Sequence, residues 1–152
     1  MLPKNHVLLG FIVAVLLFIL FPTFGIISVG IFWFSSFLVD SDHYLFFIYY
    51  KKSFNLRKAY FWFKEKSEKV KKIKGSKKNY TTGIYLFHGI EPIIISLILG
   101  FVLSKYFFFV AGGIFFHLIL DKVMRIKHSK FYPKKTSVIF DIIKYPKLIQ
   151  ID

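Results

Sequence analysis

The chain has no cysteine, which excludes disulfide scaffolds, thiolate metal sites and thiol nucleophiles. Acidic residues are few, eight against 22 Lys and Arg in 152 residues. Arginine is scarcer still: apart from Arg57 and Arg125, every basic residue is Lys. Bidentate reading of phosphates and bases favours Arg, so a net charge of +14 carried almost wholly by Lys points to membrane topology before nucleic acid. Long stretches lack charge altogether. Asn5 to Val39 holds no Lys, Arg, Asp or Glu, and Pro92 to Leu120 holds only Lys105. What fills them is apolar and aromatic: the chain is 55% hydrophobic with 21 Phe, which excludes a disordered chain.

The two uncharged blocks are each too long for one core helix and suit helical hairpins, since one bilayer crossing takes roughly 20 apolar residues. Phe21-Pro22-Thr23-Phe24-Gly25 breaks the first block and Ser104-Lys105-Tyr106 the second. The expected fold is therefore an all-α membrane protein in a single domain over 1–152, with four transmembrane helices at about 7–21, 24–39, 84–103 and 106–120. Three of these are short against the ~17-residue minimum, so their ends borrow Asn5, His6 or Asp40, or the bilayer thins locally. The first span continues directly into further apolar residues and has no small-residue cleavage site after Phe21, unlike a signal peptide.

A basic interfacial segment at 51–82 joins the hairpins and a basic tail runs over 122–152. Within the first, residues 53–74 read as an amphipathic helix capped by Ser53 or Asn55. Its aromatic residues and its lysines suit anionic lipid headgroups. Four spans place both termini and the central segment on one side, with every Lys and Arg except Lys105. By the positive-inside rule that side is the cytoplasm of a multi-pass cell-membrane protein.

Ionisable groups are costly inside a bilayer and mark function or a partner. Here they gather at the ends of the spans: His6; Asp40, Asp42 and His43; His88 and Glu91; His117 and Asp121. Because successive spans alternate in direction, all four groups fall on the same membrane side at similar depth. His88 and Glu91 are three residues apart and His117 and Asp121 four, so each pair shares a helix face. Imidazole with carboxylate suits a divalent metal, zinc first, and these eight residues are enough for one or two ions. Carboxylates left uncoordinated, Glu91 or Asp42 first, are candidates for the general base.

The order of motifs resembles the membrane-bound metal-dependent hydrolases, the inner-membrane family also described as LexA-binding. The matching residues are His6 in Asn5-His6-Val7-Leu8-Leu9-Gly10, then Asp40-Ser41-Asp42-His43, then His117-Leu118-Ile119-Leu120-Asp121. Many members carry a His-Arg-Gly-x-Thr-His-Ser element before the third span, where this chain has Tyr85-Leu86-Phe87-His88-Gly89-Ile90-Glu91. The resemblance implies that His88 and Glu91 stand in for that element. It further implies a metal-dependent hydrolase, and a site near headgroups points to a lipid phosphoester or related anionic substrate. Two other functions use the same residues differently: a metal-binding or transport protein without catalysis, and a membrane-anchored interaction protein.

Overall fold

The structure is a computed structural model that describes residues 3–73, 80–81, 85–128, 137, 139 and 149–150. Among these the regular structure is helical, apart from a two-residue parallel pairing of Tyr80–Thr81 with Ile149–Gln150. Six helices follow in order: α1 (Pro3–Leu20), α2 (Gly25–Leu38), α3 (Ser41–Lys51), α4 (Leu56–Ile73), α5 (Glu91–Val102) and α6 (Tyr106–His128).

The two hairpin turns fall where Pro, Gly and Lys105 interrupt the apolar blocks. After α1 the chain makes a 3-10 turn over Pro22–Phe24 and reverses at Gly25, whose φ of 72° lies in the left-handed region that favours glycine. Between α5 and α6, the Ser104 carbonyl accepts the Phe107 N–H at 3.0 Å and so begins the next helix. α2 packs against both α1 and α6, and α5 packs against α6.

Helix lengths depart from the sequence expectation in three places. The second apolar segment does not stop at Asp40, because Val39 and Asp40 keep right-handed helical backbone and α3 carries the chain on to Lys51. α6 likewise runs through Asp121 to His128, so His117 and Asp121 lie within a helix and not in its last turn. The third segment is shorter than 84–103: a 3-10 turn occupies Leu86–His88, and α5 starts only at Glu91, with Pro92 in its first turn. Two helical stretches, Pro22–Lys51 and Tyr106–Val123, are long and apolar enough to cross a membrane. α1 and α5 are apolar but shorter; the 12 residues of α5 reach only ~18 Å.

α4 is the amphipathic element, with its start at Asn55, whose side-chain oxygen accepts the Lys58 N–H at 3.0 Å. It docks on α3 through Trp62, whose ring lies 5.7 Å from that of Phe47. The Lys66 ammonium sits 4.6 Å above the Trp62 ring, a cation–π contact. Lys74 and the Gly75-Ser76 stop expected after this helix, and most of the basic tail, lie outside the described residues.

Two glycines let the central helices approach closely. A Cβ at Gly10 of α1 would lie 2.2 Å from the Ser36 hydroxyl oxygen of α2. A Cβ at Gly113 of α6 would lie 2.5 Å from the Phe32 carbonyl oxygen and 3.0 Å from the Ser36 nitrogen. The Trp33 indole N–H, donating to the Val7 carbonyl at 3.0 Å, ties the first turns of α1 to α2 as well.

Gly113→Ala should therefore push α6 off backbone that cannot yield, costing about 1–3 kcal/mol. Thermal unfolding in detergent should show a lowered midpoint. Gly30→Ala, with nothing within 4 Å of its Cβ, should leave the midpoint unchanged or slightly raised.

Candidate metal centre

His6 begins one turn before Gly10 on α1, and His117 follows one turn after Gly113 on α6. The close approach of both helices to α2 at those glycines brings the two imidazoles into a stack, with centroids 4.1 Å apart. His6 is 1% exposed and His117 is fully buried. Neither nitrogen of His6 has a hydrogen-bond partner among the described residues; Nε2 lies 3.4 Å from Asp121 Oδ1.

The tautomers of the other rings follow from their neighbours. His117 Nδ1 lies 2.8 Å from the Ser36 carbonyl oxygen, which can only accept, so Nδ1 carries the proton and donates it there. His88 Nδ1 donates to Asp42 Oδ2 at 3.0 Å, and His43 Nδ1 donates to Asp42 Oδ1 at 2.7 Å. The Phe87 backbone N–H gives Asp42 Oδ2 a third donor at 3.0 Å. A carboxylate with both oxygens engaged in this way is ionised and orients two rings at once. It is the carboxylate–histidine arrangement found behind metal-ligating imidazoles.

With the Nδ1 protons so committed, the Nε2 lone pairs face inward. His88 Nε2 and His117 Nε2 stand 3.4 Å apart. Asp40 Oδ1 lies 3.7 Å from the latter and 3.8 Å from the former. Asp121 Oδ2 is 3.9 Å from His88 Nε2. Three overlapping groups result, each with donor atoms within 4.8 Å of one another: His6, Asp40 and His117; Asp40, His43 and His88; His88, His117 and Asp121. Two nitrogen lone pairs facing each other call for a shared proton or a cation, and a buried His with no hydrogen-bond partner calls for a water or an ion. The residues thus fit a metal ion, and these buried His and Asp groups can hold one.

Six of the eight residues expected as ligands from sequence are members of these groups. Asp42 and Glu91 are not. Asp42, expected as a ligand or a general base, is occupied as the clamp on His43 and His88. Glu91 starts α5 and turns its Oε1 to the Ser137 hydroxyl and the Ile139 N–H, because Gly89 and Ile90 separate the His88 turn from the helix. Ser36, Gly10 and Gly113 were not singled out by their chemistry. For the two glycines the signal is a missing side chain one turn from a histidine; Ser36 has no such spacing. His43 is further fixed by stacking on Tyr85, with centroids 4.0 Å apart. A separate recess of about 440 Å³, lined by Thr23, Ser28, Lys105 and Phe108 among others, lies at the opposite end of the helices and shares none of these residues.

Asp42→Asn would replace one accepting oxygen by an amide nitrogen, which cannot accept an imidazole N–H. Divalent-metal affinity, measured by competition with a chromogenic chelator, should fall about 10–100-fold, while Glu91→Gln should leave it unchanged. Comparison with known proteins gives no matching family model, no matching curated protein and no matching solved structure.

Proposed function

We propose that this chain is a membrane-embedded, metal-dependent hydrolase of the kind its motifs resemble, acting on a phosphoester of a lipid or isoprenoid. The observation that carries the reading is the facing pair of ring nitrogens, His88 Nε2 and His117 Nε2, at 3.4 Å beside two carboxylates. Zinc is the preferred ion, since imidazole nitrogen and carboxylate oxygen are its usual ligands where no thiolate is present.

The membrane reading rests on outward-facing apolar side chains along every apolar helix. Ile19, Ile27, Phe34, Ile98 and Phe101 are all exposed. A surface of that kind, continuous over several helices, suits lipid contact better than water. In this reading α1, α2, α5 and α6 are four spans, with the bilayer thinned beside the short α5. The excess of Lys and Arg then sets both termini and the metal centre on the cytoplasmic side.

A divalent ion bound here supplies an acidified water and a polarised phosphoryl oxygen. The chain's own residues do the rest. The Ser36 carbonyl and Asp42 hold the rings in the tautomers that present bare nitrogens. Burial of His6 and His117 keeps bulk water away. Exposed lysines on α4, Lys58 and Lys64 among them, attract an anionic headgroup at about 1 kcal/mol each.

Purified in detergent, the wild-type chain should retain zinc and release phosphate from phosphatidic acid or a chromogenic phosphoester. His117→Ala should lose both, with activity down at least ~100-fold. Undiminished hydrolysis by His117→Ala would sink the proposal. Bound zinc with no hydrolysis across mono- and diesters would leave a non-catalytic metal-binding protein.

A further inference from the structure

We infer that the centre is built for two ions, bridged by the carboxylates of Asp40 and Asp121. This rests on the metal-binding reading above and concerns how many ions the chain holds. The donors exceed what one ion takes, since a zinc site uses four ligands at most in its usual tetrahedral form. They also divide spatially. Asp40 is common to two of the donor groups, one with His6 and His117 and one with His43 and His88. The two oxygens of Asp121 face different histidines: Oδ1 lies 3.4 Å from His6 Nε2 and Oδ2 lies 3.9 Å from His88 Nε2. Each carboxylate thus reaches both a His6–His117 half and a His43–His88 half, and the two halves meet where His88 and His117 face each other beside Asp121.

A single central ion explains less. It accounts for His88, His117, Asp40 and Asp121, and leaves His6 buried at 1% exposure with neither nitrogen hydrogen-bonded. It also leaves the clamp on His43 without purpose, although Asp42 spends an oxygen on that ring at 2.7 Å. Two ions about 3.5–4 Å apart, the usual spacing in paired sites, give every ring an occupant. Each half then has two imidazoles and a share of two carboxylates. The backbone supports the division: the first half is carried by α1 and α6, the second by α3 and the Leu86–His88 turn.

The test loads the full chain in detergent with Mn²⁺, removes unbound ion by gel filtration, and counts manganese per chain by elemental mass spectrometry. Low-temperature electron paramagnetic resonance then reports whether the ions are coupled. Two ions per chain with an exchange-coupled spectrum are expected. His43→Ala and His6→Ala should each drop to one ion with the spectrum of isolated Mn²⁺. Saturation of the wild type at one ion overturns the inference, whatever the variants do, and so do two ions without coupling. One ion with hydrolysis intact would remove the pair and leave the hydrolase. A coupled pair with no hydrolysis would do the reverse.

Discussion

The centre depends on how closely α2 can lie against two other helices at once. Gly10 and Gly113 present no side chain to α2, and Ser36 fills the space between them. At each contact a single methyl group would reach within 2.5 Å of an α2 atom. One turn from each glycine stands a histidine, and the two rings stack as a consequence. In helices with apolar surroundings, small residues of this kind replace the hydrophobic drive that holds soluble cores together. The same residues that permit the helices to meet therefore fix where His6 and His117 meet.

Once the rings are in place, their chemistry is set by groups that do not themselves reach the centre. The Ser36 carbonyl takes the His117 Nδ1 proton, and Asp42 takes those of His43 and His88. Each imidazole is thereby presented as a base with its lone pair inward. Without these acceptors the rings would be free to protonate the facing nitrogens, and the group would close on itself by N–H···N hydrogen bonds. The buried polar atoms would then be satisfied internally, with no call for a cation.

Much of the site could be read from the sequence because polarity is so scarce in the apolar blocks. His6, Asp40, His43, His88, His117 and Asp121 stand out against Leu, Ile and Phe, and alternation of helix direction assigns them to one end. Helix ends were less legible. Charge at Asp40 and Asp121 suggested termination; α2 does end just before Asp40, but right-handed backbone leads directly into α3, and α6 runs on through Asp121. The roles of Asp42 and Glu91 were not legible either. A two-residue step at the start of α3 decides whether a carboxylate faces the centre, as Asp40 does just before the helix, or reaches behind the rings, as Asp42 does in its first turn. Gly89 and Ile90 likewise detach Glu91 from the turn that carries His88. The structural glycines left only a faint trace, since spacing from a histidine has meaning only when the facing helix is known.

Asp42 has one further consequence. It grips two rings that come from different parts of the chain, and it rides on α3, which continues α2 through right-handed backbone at Val39 and Asp40. A small twist of that rod cannot misalign one imidazole alone; both swing together. The orientation of His43 and that of His88 are accordingly linked through one carboxylate.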